Sequence, residues 1–180
     1  MKSYVAFLRG INVGGHKPVG MSALKSIFES LGFRNVRTIL ASGNVLFEST
    51  GKSPAELALR AERGLQQTLG YKLRVVVSGM EEIQRLVKEN PFRNNGERSD
   101  TKFYVTFFAA SVRPKKKRRS LLGSNFRIVR FSSRCLCLVV RVSKKGGTID
   151  MMEWLDREFG TSITTRNWNT VLKVVRAAAV

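Results

Sequence analysis

Apolar positions in this chain fall into short runs and helical stripes, and their order predicts the fold. Tyr4 to Leu8 is a continuous apolar run that reads as a strand, ending in a Gly-rich turn. Met21, Leu24, Ile27, Phe28 and Leu31 recur at helical spacing, and Gly32 follows as a stop. Val36 to Leu40 and Val45 to Phe47 read as strands joined across a hairpin-like Ser42-Gly43-Asn44 turn. Ser53-Pro54-Ala55-Glu56 spells a capping box with proline at the first helical position. It opens a helix that buries Leu57, Ala61, Leu65 and Leu69 and closes at Gly70. Leu73 to Val77 is the next strand. The order β-α-β-β-α-β is that of the ferredoxin-like split unit.

The pattern then partly repeats. Ser78 and Glu81 form a capping box for a helix carrying Ile83, Leu86 and Val87 as far as Pro91, and the polar stretch Asn94 to Asp100 reads as a linker. Phe103 to Phe108 is a strand, Pro114 to Leu122 a short basic helix, and Phe126 to Phe131 and Leu136 to Val142 are strands. Asp150 with Glu153 caps a helix carrying Met151, Leu155 and Phe159, and a final helix starts near Thr165. The expected class is therefore α+β. It has two ferredoxin-like (α–β plait) units, antiparallel sheets with helices packed on them, and the second unit lacks its last strand. Expected boundaries are 1–79 for the first unit, 80–100 for a connecting helix and linker, and 101–180 for the second unit with its C-terminal helix. Val5, Phe7, Leu24, Phe28, Val45, Phe47, Leu65, Val105, Leu138, Leu155, Trp168 and Leu172 are the expected core.

Charge changes the picture more than composition does. The net charge is +19, and residues 101–150 carry thirteen lysines and arginines against one acid. A solvated face usually mixes signs, so this segment argues for a polyanionic partner or an anionic surface. No run approaches the ~20 apolar residues of a membrane helix. Tyr4 to Leu8 is also shorter than the ~7–15 residues of a secretory core, so the reading is cytoplasmic with no membrane association. Cys135 and Cys137 are the only cysteines and His16 the only histidine. Two thiols and one histidine do not make a structural zinc site, and buried free thiols are the expected state. No metal or cofactor is expected.

Two polar motifs stand at opposite ends of the chain. Arg9-Gly10-Ile11-Asn12-Val13-Gly14-Gly15 follows the first strand, with Ser42-Gly43-Asn44 between the next two, and Thr164-Thr165-Arg166-Asn167-Trp168-Asn169-Thr170 comes near the end. Together with Met21, Leu24, Leu31-Gly32-Phe33, Val36-Arg37-Thr38, Val45, Phe47, Val171 and Lys173, they resemble the mainly bacterial "domain of unknown function 1697" family. The resemblance runs from Tyr4 to about Arg176. It implies an α/β fold of two ferredoxin-like parts and no established activity. The basic stretch Arg113 to Arg119 is not part of that family pattern.

Two kinds of site follow from the residues themselves. The first is an anion pocket of Arg9, Asn12, Gly14, Gly15, Lys17, Ser42, Asn44, Thr165, Arg166, Asn167, Asn169, Thr170 and Lys173. With Thr165 as N-cap, Arg166, Asn169, Thr170 and Lys173 share one helix face, and free N–H groups beside Arg and Lys suit a phosphate or carboxylate. The Gly-rich turn is neither a dinucleotide fingerprint nor a P-loop, since Pro18 stands where a metal-binding hydroxyl belongs. Its structural alternative is glycines serving a tight connection, and that of the C-terminal motif is a capped amphipathic helix. The second site is a nucleic-acid surface of Arg113, Lys115, Lys116, Lys117, Arg118, Arg119, Arg127, Arg130, Lys144 and Lys145, with Arg134 and Arg141 nearby. Its alternative is a solvated face. Phe103, Tyr104, Phe107, Phe126 and Phe131 interleave with these charges, and Lys102 to Phe107 is a weak match to an RNA-recognition strand. No nucleophile, base and orienting group assemble, so a catalytic set is not assigned. Nucleic acid or another polyanion is the expected partner. An enzyme or sensor for a small phosphorylated or carboxylated ligand is the alternative.

Overall fold

The computed structural model describes residues 1–12, 18–51, 53–96, 99–112, 125–142 and 147–179, with the backbone alone at 147–150. It resolves into two compact units, residues 1–85 with 172–180, and residues 86–171.

In the first unit, β1 (Lys2–Leu8), β2 (Arg34–Ile39), β3 (Asn44–Ser49) and β4 (Val75–Gly79) form an antiparallel sheet in the order β2-β3-β1-β4. Helices α1 (Met21–Ser30) and α2 (Pro54–Leu69) fill the two crossovers. Tyr4, Ala6, Leu8, Val45, Phe47, Val75 and Val77 form one core with Leu24, Ile27 and Phe28 of α1 and Leu57, Ala61 and Leu65 of α2. Phe47 is its aromatic centre, with Phe33 at 4.5 Å, Phe28 at 5.7 Å and Tyr4 at 5.7 Å between ring centroids. The intervening residues Val5, Phe7, Leu46 and Val76 are buried too. Strand residues of opposite parity face opposite ways, so this sheet is covered on both faces. That explains why its strands read as continuous apolar runs rather than alternating ones. The capping box at α2 forms as written: Ser53 Oγ accepts from Glu56 N at 3.3 Å, and Ser53 N donates to Glu56 Oε2 at 2.9 Å. Gly70 ends the helix at φ 79°, the left-handed conformation that glycine adopts without a Cβ clash.

Helix α3 (Met80–Glu89) follows β4 directly, and the boundary between the units falls within it. Ser78 is a buried strand residue opposite Val5, so it does not cap α3 as its spacing with Glu81 suggested.

The second unit holds β5 (Thr101–Phe108), β6 (Phe126–Phe131), β7 (Cys135–Arg141), α4 (Gly147–Phe159) and β8 (Ile163–Asn167), followed by α5 (Trp168–Ala178), which runs on into the first. Its antiparallel sheet has the order β6-β7-β5-β8. Phe108, Leu136, Leu138, Val140 and Ile163 form a core with Met151, Trp154 and Leu155 of α4. Phe107, Val105, Cys135, Cys137 and Val139 are buried on the opposite face.

Three expectations about the second unit are corrected here. The second unit does not lack its last strand: β8 pairs antiparallel with β5, Val105 opposite Arg166 and Phe107 opposite Thr164. The final helix starts at Trp168, not near Thr165. Thr164 and Thr165 are β-branched, and Thr106 Oγ1 and Thr165 Oγ1 lie 2.9 Å apart across the strand pair, a cross-strand bond that favours the sheet over a helix cap. Helix α4 starts at Gly147, so Asp150 falls inside it rather than at its cap. The short basic helix expected over Pro114 to Leu122 lies outside the described residues. Of the twelve expected core residues, Leu172 alone is only half-buried; the buried stripe of α5 is Trp168, Val171 and Val174.

Candidate functional site

The first unit brings the Arg-Gly-Ile-Asn and Ser-Gly-Asn motifs together. Asn12 takes a positive φ of 54° just past β1. Its Nδ2 donates to Ala41 O at 2.7 Å and to Val19 O at 3.1 Å, and its Oδ1 accepts from Val19 N at 2.8 Å. Asn44 is fully buried, and its Nδ2 donates to Ile39 O at 2.8 Å and to Ser42 Oγ at 3.1 Å. Leu8 N donates to Gly43 O at 2.8 Å, and Arg9 N to Arg74 O at 2.8 Å. Gly43 sits at φ 73° under Ile11, where an added Cβ would meet Ile11 Cδ1 at 2.5 Å. Sequence reasoning missed Ile11, whose burial is what requires glycine at 43. Asn12 thus ties its own loop to the β2–β3 turn, and Asn44 bonds back across that turn. Gly14, Gly15 and Lys17 lie outside the described residues.

In the second unit the C-terminal motif is a strand followed by a helix start. Asn167 Oδ1 accepts from Asn169 N at 2.9 Å, so Asn167 caps α5 in place of the expected Thr165. Arg166 lies on β8, so it does not share a helix face with Asn169, Thr170 and Lys173. Its guanidinium donates to Thr164 Oγ1 at 3.0 Å and to Thr165 O at 2.9 Å. The residue keeps partial contact with solvent, yet burial lowers its pKa from the ordinary arginine value to about 10. At neutral pH it is a cation held in a largely desolvated place. Thr170 is half-buried, and Asn169 and Lys173 are exposed on α5.

Of the basic surface, Arg127 and Arg130 are described, while Arg113, Lys115, Lys116, Lys117, Arg118, Arg119, Lys144 and Lys145 lie outside the described residues. Both stand on β6, an edge strand. Arg127 bonds Asn95 Oδ1, and Arg130 pairs with Glu89 Oε2 at the end of α3. That pairing raises the pKa of Arg130. Arg141, exposed on β7, shares their face of the sheet. The aromatics between these charges pack on other rings: half-buried Phe103 stacks on Phe92 at 4.8 Å, and buried Phe108 contacts Phe131 and Phe159.

Neither cysteine is disulfide-bonded. Cys135 and Cys137 are both buried on β7, and the Ser132 hydroxyl lies 3.4 Å from the Cys135 sulfur. The Cys135 contact and burial push the Cys137 thiol far above its ordinary value of 9.0, so it is a protonated interior group rather than a nucleophile. Among the described residues, no group of three His, Cys, Asp or Glu could hold a metal ion, and no helix is long and apolar enough to cross a membrane.

With this geometry in place the chain can be compared with known proteins. The family model described as "Protein of unknown function (DUF1697)" matches residues 1–127. The chain belongs to this family. The matched region contains Arg9 to Gly15 and Ser42 to Asn44 and ends within β6, so the C-terminal motif lies beyond it. A solved structure of a conserved bacterial protein from Streptococcus pneumoniae is similar over 97% of each chain, with a TM-score of 0.73 and 21% identity. At that identity the likeness shows the fold alone. No curated protein matches the chain.

Proposed function

We propose that this protein binds an anionic polymer, nucleic acid, through its second unit. The observation that carries the reading is charge: thirteen lysines and arginines against one acid in residues 101–150. Such an excess concentrates a polyanion at the surface and releases counterions when phosphates are neutralised. Arg127, Arg130 and Arg141 support it, because they gather on one face of β6 and β7. We read each unit as a ferredoxin-like plait, a scaffold that leaves its edge strands and loops open for contact. The order β2-β3-β1-β4, matched by β6-β7-β5-β8, supports that reading. A cytoplasmic setting belongs to the same proposal and is supported by two unbridged thiols.

Binding to DNA and RNA measured against salt tests it. Log affinity should fall linearly with log salt, with a slope set by ~4–6 phosphate contacts. Replacing Lys115, Lys116, Lys117, Arg118 and Arg119 with Ser should remove most of the slope. No measurable binding at low salt ends the proposal.

A second reading has one observation in its favour, the desolvated Arg166 cation. It is an enzyme or sensor for a small phosphorylated or carboxylated ligand. A guanidinium grips an oxyanion with two parallel N–H groups, which Lys cannot do.

A further inference from the structure

Resting on the nucleic-acid reading above, we infer that the polymer is a duplex held through its phosphates alone, with no base stacked on the protein. Single-strand binders display aromatic rings on which successive bases stack. Here every aromatic in the basic segment is buried or packed against another ring or a core cluster: Phe107, Phe108 and Phe126 are buried, and Phe103, Tyr104 and Phe131 are half-buried. Phe103 is stacked on Phe92, and Phe92 meets Trp168 edge-on at 5.1 Å. Phe126 packs on Trp154 at 5.3 Å, and Phe131 on Phe108 at 5.8 Å. Phe107 is buried on the opposite face from Phe108, and Tyr104 packs against the core under α4. No ring of this segment therefore stands fully exposed as a stacking platform.

What this unit offers to solvent instead is guanidinium. Arg127 stands opposite Val139, Arg130 opposite Cys137, and Arg141 two residues beyond Val139, so all three share one face of the sheet. Same-face neighbours along a strand are about 7 Å apart. Their present partners are weak ones. Arg127 bonds a neutral amide, and the Arg130–Glu89 pair is solvent-exposed at both ends, a kind of pair that adds little stability. A phosphate, which a guanidinium grips bidentately, competes with both. A duplex turns its phosphates outward and keeps its bases stacked on one another. It suits a cationic edge without stacking groups better than a single strand does.

The test is an anisotropy titration of the full chain with duplexes of unrelated sequence and with single strands carrying the same number of phosphates. Inorganic polyphosphate serves as competitor. Duplex affinities should agree within about threefold, single strands should bind no tighter, and polyphosphate should displace both. Fluorescence of the two tryptophans, both buried, should not change on binding. The Arg127→Gln/Arg141→Gln variant changes only exposed side chains and should lower the log–log salt slope by roughly 1.8, two contacts' worth. The Lys2→Gln/Lys72→Gln variant, with the same charge removed from the first unit, should leave the slope close to that of the parent. Tighter single-strand binding, base-dependent affinity, tryptophan quenching or an unchanged slope in the Arg127/Arg141 variant overturns the inference and leaves the nucleic-acid reading standing. Absence of binding to any polymer at low salt overturns both.

Discussion

Beyond the end of β1, Asn12 gives both amide hydrogens to carbonyls of its own unit. On β6, Arg127 and Arg130 give theirs to a neutral amide and an exposed carboxylate. The first arrangement is a brace: replacing its partners would leave backbone groups without bonds. The second is a set of exchangeable contacts, which a stronger anion can replace at little cost. Two sheets of the same strand order thus use polar residues in opposite ways. The difference teaches that motif density alone does not mark a binding surface. The Arg-Gly-Ile-Asn and Ser-Gly-Asn motifs are the most distinctive part of this chain, and their two asparagines work on its own loops. The less distinctive basic segment holds the groups that can change partners.

The largest effect that would break this comparison lies at Gly43. A Cβ there meets Ile11 Cδ1 at 2.5 Å and Leu8 Cβ at 3.0 Å, on a backbone at φ 73°. The left-handed conformation and the overpacking each add a penalty, so Gly43→Ala should destabilise by about 2–4 kcal/mol in urea unfolding. Arg127→Ser, on the exposed edge of the other unit, should change stability by no more than about 0.5 kcal/mol. If Gly43→Ala is tolerated, the loops move freely and the brace reading fails.

The regular elements were legible in the sequence wherever one signal dominated. Glu56 behind Ser53-Pro54 announced α2, and its capping box forms as written. The continuous apolar run from Tyr4 announced a strand, and the structure buries it on both faces. The candidate pocket was harder, because its residues serve two purposes. The stripe Arg166, Asn169, Thr170 and Lys173 has true helical spacing, yet Arg166 belongs to a strand. Helical periodicity carried backwards from α5 concealed β8, a five-residue element whose own signal was the β-branched pair Thr164-Thr165. The bonds of Asn12 and Asn44 could not be read at all, since their carbonyl partners are set by where the turns fold.

A pH titration sharpens the comparison next. Both cysteines lie in the second unit, so the first contributes no thiol. The Cys135 contact and burial raise the Cys137 thiol well above its ordinary 9.0 in the folded chain. Above pH 9 the unfolded chain releases this proton and the folded chain keeps it. The folded state then binds more protons, and stability falls as pH rises, by up to about 1.4 kcal/mol per pH unit. Below pH 9 the thiol is protonated in both states and adds no slope. Cys137→Val keeps an apolar side chain of similar size and should flatten this part of the profile. An identical slope in the variant would mean that other groups carry it.

The smallest expected effect decides between the two readings of Arg166. Its guanidinium is held by Thr164 Oγ1 and Thr165 O, and desolvation brings its pKa down to about 10. Desolvating a charge costs stability, and two hydrogen bonds offset part of that cost. Arg166→Met fills similar space without the charge, so unfolding free energy should stay within about 1 kcal/mol of the parent, on either side. Arg166→Ala also leaves a void and should lose about 2 kcal/mol. The pair of variants separates packing from charge. If Met is neutral or stabilising, the charge is not retained for stability. Inorganic phosphate should then raise the melting temperature of the parent and not that of Arg166→Met, as a ligand that binds only the folded state must. If Met costs as much as Ala, the two hydrogen bonds are structural, and the small-anion reading loses the one observation that favours it. Polymer binding through β6 and β7 should be the same in the parent and in Arg166→Met under either outcome, because Arg127, Arg130 and Arg141 are untouched.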